Sequence, residues 1–112
     1  MTQYVRACAL ADVPLDAALA VEVGGTEIAI VRHGDEVFAI LDECSHAAIP
    51  LSEGDVEGCE IECWLHGSRF DLRTGKPTGL PATEPVATYP ITVEGDHVLV
   101  DVQSPLNNQR KK

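Results

Sequence analysis

The sequence reads Cys44-Ser45-His46 near its middle and Cys63-Trp64-Leu65-His66 a little further on. Each motif holds one cysteine and one histidine close enough together to reach a common centre. Thiolate sulfur and imidazole nitrogen are both ligands that transition metals accept in proteins. We therefore predict a metal site whose ligands come from both motifs, namely Cys44, His46, Cys63 and His66.

The mixed composition of each motif narrows the choice of metal centre. Tetrahedral zinc could use these four ligands, but zinc sites usually take two cysteines from one short motif and two histidines from another. Mixed motifs suit a binuclear centre, in which the two thiolates bind one iron and the two imidazoles bind the other. A zinc-bound structural or interaction module is the non-redox alternative.

The two motifs and their flanks resemble the binding motif of Rieske [2Fe-2S] proteins. The flanks that extend the likeness are Pro50-Leu51-Ser52-Glu53-Gly54, Gly67-Ser68-Arg69-Phe70-Asp71, Thr74-Gly75 and Leu80-Pro81. The resemblance implies one Rieske-type [2Fe-2S] cluster in an all-β, antiparallel sandwich or barrel. It also implies a domain over residues 1–102, with a cluster-binding part of two loops at about 43–82, before a mobile polar and basic tail at 103–112.

The resemblance gives roles to four neighbouring residues. Leu80 and Pro81 would form the tip of a stiff, proline-rich loop that covers one side of the cluster. Ser68 matches a serine that donates to sulfur in high-potential members of the family. Trp64, between two ligands, is either a structural plug or part of a docking face.

The reduction potential is expected to be low for a Rieske centre. Phe70 stands where high-potential members have a tyrosine hydroxyl, and the extra cysteine pair of those members is missing. Hydrogen bonds to the sulfurs favour the reduced form, so their loss lowers the potential.

Size and charge exclude several classes of function. A chain of 112 residues with a formal net charge of −10 is expected to form one domain that does not bind nucleic acid. The acidity is either a solvated surface or a means of steering the protein towards a basic partner. Arg69, Arg73 and Lys76 follow the second motif, and form either a solvated strand face or a local cationic edge that orients a redox partner.

The remaining cysteines and histidines are given no ligand role. We expect Cys8 and Cys59 to be free thiols, because the chain begins without a recognisable secretory signal and a disulfide is improbable in that setting. His33 and His97 adjoin turn residues and are expected at the surface.

Short β-branched segments separated by turns predict an antiparallel β fold. The predicted strands are 3–10, 18–23, 26–32, 36–41, 60–63, 69–72, 89–93 and 97–102. A helix over Ala17–Ala20 is a weaker alternative. The segment 78–85 is expected to be an extended loop, and Gly24-Gly25 a hairpin turn.

These observations predict a one-electron carrier that is not an enzyme on its own. The likeness is strongest to bacterial ferredoxins that pass electrons from an NAD(P)H-dependent flavin reductase to a terminal non-haem iron oxygenase acting on aromatic rings. Service in iron–sulfur cluster assembly, or to another redox enzyme, is the alternative. No membrane partner is expected, and the predicted location is cytoplasmic.

Overall fold

The computed structural model describes residues 4–34, 36–44, 49–64, 67–79, 84–103 and 106. Regular structure within these ranges consists of β-strands and two short 3₁₀ helices, Leu10–Asp12 and Leu51–Glu53. The predicted all-β class is therefore confirmed. The strands are β1 (Val5–Ala9), β2 (Ala17–Val23), β3 (Thr26–His33), β4 (Glu36–Leu41), β5 (Asp55–Glu57), β6 (Glu60–Glu62), β7 (Arg69–Asp71), β8 (Pro77–Gly79), β9 (Thr88–Tyr89), β10 (Ile91–Glu94) and β11 (His97–Val100).

The strands form three antiparallel sheets. The terminal sheet has the order β1-β11-β10, the central sheet β2-β3-β4-β9, and the motif sheet, which carries the second cysteine motif, β5-β6-β7-β8. Among the described residues, no helix is long and apolar enough to cross a membrane.

Strand β3 shows why the central sheet lies between the other two. Its residues 28–31 are all buried, which is typical of a strand covered on both faces. Successive side chains point to opposite faces of a strand. Accordingly Ile28 and Ile30 join a core with the terminal sheet, whereas Ala29 and Val31 join a core with the motif sheet.

The hairpin between β2 and β3 forms as predicted. Gly24 and Gly25 have φ values of 57° and 82°, so both central turn positions require the left-handed region that glycine adopts easily. Val23 then pairs with Thr26, and the ladder continues to Ala17 opposite Arg32. The helical alternative for Ala17–Ala20 is therefore wrong, because every residue of that segment has a partner in β3.

The predicted strand 89–93 is divided into β9 and β10, which belong to different sheets. Two further short strands, β5 and β8, were not predicted. β5 is three residues long and largely polar, so its sequence alone does not predict a strand. It becomes a strand by pairing with β6. β8 lies in the segment expected to be an extended loop, and its proline is tolerated because β8 is an edge strand with an irregular register against β7. The domain limit at 102 and the mobile tail stay predictions, although the N–H of Leu106 donates to the carbonyl of Thr88 at 2.8 Å.

Candidate metal centre

The second motif extends from the end of the β6–β7 hairpin. Ile61 pairs with Phe70 and Glu62 with Arg69. One step further, the N–H of Cys63 donates to the carbonyl of Ser68 at 2.7 Å, and the N–H of Gly67 donates to the carbonyl of Cys63 at 2.9 Å. Cys63 is therefore held at the last rung of a regular ladder.

The first motif is closed in an equivalent way. The N–H of Cys44 donates to the carbonyl of Ile49 at 2.9 Å, again a bond to the fifth residue along the chain. In both motifs the N–H of the cysteine therefore bonds to the carbonyl of the residue five positions later, an arrangement called here a chain return. This equivalence is not apparent from the sequence, because one motif is Cys-x-His and the other is Cys-x-x-His.

Both thiols are buried in one core. Cys44 is 3% exposed and Cys63 is 1% exposed, and they share a cluster with Leu51, Ile61 and Phe70. The two cysteines therefore meet in an apolar region between the central and motif sheets. Two thiolates from separate segments in one dry region form a donor set suited to iron.

A buried carboxylate supports the first motif. Asp42 is 6% exposed, and its two oxygens accept the backbone N–H of Ser52 at 2.7 Å and the hydroxyl of Ser52 at 2.8 Å. Its own N–H donates to the carbonyl of Glu27 at 3.0 Å. Asp42 therefore ties the approach to Cys44 to β3 and to the 3₁₀ helix Leu51–Glu53. The role of Asp42 was not predicted from the sequence. The signal that could have indicated it is a carboxylate between an apolar strand and the first cysteine motif.

A glycine supports the second motif. A Cβ atom added to Gly54 would lie 1.7 Å from the carbonyl oxygen of Glu62, the residue before Cys63. No side chain fits in that space. Glycine at this position lets the chain entering β5 touch the backbone of β6 directly beside the second cysteine.

Arg69 and Arg73 do not form the cationic edge that was one of the two interpretations of these residues. Arg69 lies 3.6, 3.8 and 3.9 Å from carboxylate oxygens of Glu57, Glu60 and Glu62. The hypothesis is wrong at these two positions, since cross-strand register and loop packing place carboxylates beside both. Lys76 is exposed.

Arg73 makes a bidentate ion pair with Glu36, with one contact at 2.8 Å. Its guanidinium also lies 5.4 Å from the centre of the Phe38 ring, a cation–π distance. The hydrogen bond from Arg73 lowers the pKa of the Glu36 carboxyl. This pairing connects the turn after β7 to the start of β4.

The other cysteines and histidines have local roles. All four cysteines lie in the described part of the chain, and none forms a disulfide. Burial raises the pKa of the Cys8 and Cys59 thiols, which keeps them protonated and poorly reactive. His33 contacts Asp16 at 2.8 Å, and His97 accepts a hydrogen bond from Arg6 at 2.9 Å; both histidines lie at the surface as expected.

The structure places half of the predicted site residues. Cys44, Cys63, Trp64 and Ser68 are described, and Ser68 is 0% exposed whereas Trp64 is 54% exposed. His46, His66, Leu80 and Pro81 lie outside the described residues. Within the described ranges, no group of three or more metal-binding side chains is assembled.

Three antiparallel sheets with two buried thiols at equivalent chain returns define a small β protein that can hold a metal cluster. Residues 3–90 match the family model for the Rieske [2Fe-2S] domain. The chain therefore belongs to the Rieske [2Fe-2S] family and carries one Rieske-type cluster.

Similar proteins of comparable length are electron-transfer components. The chain is 43% identical over 99 residues to the 3-phenylpropionate/cinnamic acid dioxygenase ferredoxin subunit of Escherichia coli, covering 88% of this chain and 92% of that one. The ferredoxin of carbazole 1,9a-dioxygenase from Nocardioides aromaticivorans superposes with a TM-score of 0.85 at 42% identity, covering 89% and 98% of the two chains. A ferredoxin chain in a complex of reduced oxygenase and oxidised ferredoxin of carbazole 1,9a-dioxygenase superposes with a TM-score of 0.82 at 30% identity, with both chains fully covered.

The chain is therefore a Rieske-type ferredoxin, a one-electron carrier that is not catalytic alone. Its described residues fit the cluster, because Cys44 and Cys63 are both buried in one core and would supply the sulfur ligands expected of this family. When bound, the cluster accepts and releases one electron at a time.

Proposed function

We propose that this protein passes electrons from a flavin-containing, NAD(P)H-dependent reductase to the terminal non-haem iron oxygenase of a ring-hydroxylating dioxygenase system. The observation that carries the proposal is the pair of buried cysteines at equivalent chain returns, in a chain 43% identical to a dioxygenase ferredoxin subunit. A cytoplasmic location follows from the supply of NAD(P)H to the reductase.

The proposed ligands are the thiolates of Cys44 and Cys63 for one iron and the imidazoles of His46 and His66 for the other. Burial of both cysteines in one core supports the thiolate half of this set. The histidine half rests on the motif spacing. Ser68, fully buried and hydrogen-bonded through its carbonyl to Cys63, is proposed to donate its hydroxyl towards a cluster sulfur. Leu80 and Pro81 are proposed to cover the cluster.

The ligand set is tested by substituting the two histidines proposed as ligands and, as a control, the two other histidines. His46→Ala with His66→Ala should abolish the iron content and the electron paramagnetic resonance signal of the reduced cluster. His33→Ala with His97→Ala is the matched control, because it also removes two imidazoles and should keep both signals. Full iron in the first variant, or its loss in the second, would contradict the assignment.

The cluster is proposed to have a low potential within the Rieske range of about −150 to +300 mV. Phe70, buried in the same core as both cysteines, has no hydroxyl to donate to them. A redox titration should place the midpoint in the lower part of that range. A midpoint well above about +100 mV, still inside the range, would refute the proposal.

The function itself is tested by reconstitution. Purified holoprotein, a candidate flavin reductase and a candidate oxygenase are combined with NAD(P)H and an aromatic substrate, and product is measured. Turnover should depend on the concentration of this protein. Absence of turnover with every reductase and oxygenase pair from the same genome would argue for the alternative, delivery of electrons to cluster assembly or another redox enzyme.

A further inference from the structure

We infer that the carboxylate of Asp42 lowers the reduction potential of the cluster through its negative charge. The inference rests on the proposed function, and in particular on the ligand role proposed for Cys44, two residues further along the chain. It is separate from the low potential expected from Phe70, because Phe70 lies in β7 beside the second motif and acts by lacking a hydroxyl. Asp42 lies beside the first motif and acts by its charge.

Three hydrogen bonds hold Asp42 beside the first motif. Its N–H donates to the carbonyl of Glu27 at 3.0 Å, and its two carboxylate oxygens accept the N–H and the hydroxyl of Ser52 at 2.7 and 2.8 Å. Cys44 bonds to the same chain segment, since its N–H donates to the carbonyl of Ile49 at 2.9 Å. The Cα atoms of residues two apart are at most about 7 Å from each other, so the carboxylate is fixed close to the proposed ligand.

The groups around Asp42 do not neutralise its charge. Each of its oxygens accepts a hydrogen bond, as in an ionised carboxylate, which has no proton to donate. The donors are a backbone N–H and a hydroxyl, and both are dipoles without net charge. No ion pair between the described residues includes Asp42. The other charged side chains that line the same surface depression, Glu27 and Glu43, are themselves acidic.

Burial distinguishes Asp42 from these acidic neighbours. Asp42 is 6% exposed, whereas Glu27 is exposed to solvent. Water and dissolved ions screen an exposed charge strongly and a buried charge much less. A charge effect on the proposed site is therefore expected mainly from Asp42.

The sign of the effect follows from the charge of the cluster. With the proposed ligands, the oxidised cluster is neutral and the reduced cluster carries one negative charge. The carboxylate of Asp42 repels the added electron, which favours the oxidised form and lowers the potential. At an effective dielectric constant of about 20, one charge about 12 Å away changes such an equilibrium about tenfold.

The inference is tested by redox titration of the Asp42→Asn holoprotein at neutral pH and low ionic strength. Asparagine has nearly the same shape and can keep both bonds to Ser52, because its amide oxygen accepts the N–H and its amide nitrogen donates to the hydroxyl oxygen. We expect the ratio of reduced to oxidised cluster at a fixed ambient potential to rise about tenfold, a midpoint shift of about +59 mV. Iron content and the visible circular dichroism spectrum show whether the cluster is intact.

Two control variants separate charge from position and from hydrogen bonding. Glu27→Gln makes the same chemical change at an exposed neighbour, and should raise the ratio about twofold or less at low salt and not at all at high salt. Ser52→Ala keeps the charge of Asp42 and removes the hydroxyl that points its positive end at the carboxylate. The field of Asp42 is then stronger, so the midpoint should stay the same or fall. The rise in Asp42→Asn should persist at high salt.

Several results would overturn the inference. They are an unchanged midpoint in Asp42→Asn, a rise that high salt removes, and a rise of equal size in Ser52→Ala, which would indicate a displaced segment and not a lost charge. Loss of iron from folded Asp42→Asn would also overturn it, because the carboxylate would then be needed to hold the cluster. The proposed function fails separately: the ligand role of Cys44 fails if Cys44→Ala keeps its full iron content, and the electron-carrier role fails if wild-type holoprotein supports no oxygenase turnover.

Discussion

Trp64 is the most informative single residue of the site. It is 54% exposed, whereas its neighbour Cys63 is 1% exposed. Of the two roles considered for it, this exposure favours the docking face over the structural plug. An exposed tryptophan beside a buried ligand is typical of a residue that is covered only when a partner binds, and tryptophan is enriched among residues that dominate binding energy.

Trp64→Ala is therefore expected to weaken partner binding without unfolding the protein. The half-saturating concentration of this protein in the reconstituted oxygenase assay should rise about thirtyfold, corresponding to about 2 kcal/mol for a residue that dominates an interface. Iron content and thermal stability should stay unchanged. Leu15→Ala is the matched control, because Leu15 is 60% exposed and lies in a different part of the chain. An unchanged half-saturation for Trp64→Ala would rule out the docking role.

Gly54 acts by having no side chain. The Gly54→Ala variant must displace the backbone of Glu62, since the added Cβ would lie 1.7 Å from its carbonyl oxygen. We expect a loss of about 3 kcal/mol in unfolding free energy, together with faster loss of iron. Chemical denaturation and iron release to a chelator measure the two effects.

Gly34→Ala is the control for that substitution. It adds the same methyl group where nothing lies within 4 Å, at a φ of 60°, so only the cost of a left-handed alanine applies, about 1 kcal/mol. If Gly54→Ala lowers the unfolding free energy no more than Gly34→Ala does, the close approach of β5 to β6 is not what positions Cys63.

At the level of elements, the approach to Cys44 depends on the 3₁₀ helix Leu51–Glu53. Asp42 holds that helix by accepting both the N–H and the hydroxyl of Ser52. Its near-complete burial shields these bonds from water. Asp42 therefore connects the helix to β3 two residues before Cys44.

Asp42→Ala should cost about 1–3 kcal/mol, because it leaves the backbone N–H of Ser52 without its acceptor. Ser52→Ala should cost less, since it removes only the hydroxyl and keeps the bond from the N–H to Asp42. Both free energies come from urea denaturation of the holoprotein. The reverse order would contradict the role given to the bond between the N–H of Ser52 and Asp42.

Across the whole molecule, the central sheet separates two cores. Cys44 and Cys63, the proposed ligands that the structure describes, both belong to the core shared with the motif sheet, and neither belongs to the core shared with the terminal sheet. Loss of the cluster should therefore act unequally on the two halves.

Iron removal is expected to speed amide hydrogen exchange in β6 and β7 more than in β1 and β11. The proposed ligands would connect two chain segments through the cluster, and without it only the core on the motif side would hold those segments together; bound metal contributes to folding free energy. Exchange followed by mass spectrometry on holo and apo protein measures this. Equal acceleration in all four strands would show that the two cores unfold together.

Much of the fold was predictable from short-range patterns. The segments around β2, β3, β4, β10 and β11 alternate or are continuously apolar, and Gly24-Gly25 marks a turn that few other residue pairs could form. β5 and β8 were missed because three-residue strands with polar or proline-containing sequences form only when a partner strand supplies the hydrogen bonds. The family likeness was predictable because the order and spacing of two cysteines and two histidines are a local feature of the chain.

By itself, the sequence determined which residues could bind iron and which segments prefer to be extended, because both depend on side chains and near neighbours along the chain. Only the tertiary structure decided that Cys44 and Cys63 close equivalent returns in one buried core. It also decided that Arg69 and Arg73 lie beside carboxylates, which argues against the cationic edge that was one of two interpretations of these residues. The physical reason is that cross-strand register and layer packing choose which distant residues become neighbours, and charge and burial depend on those neighbours.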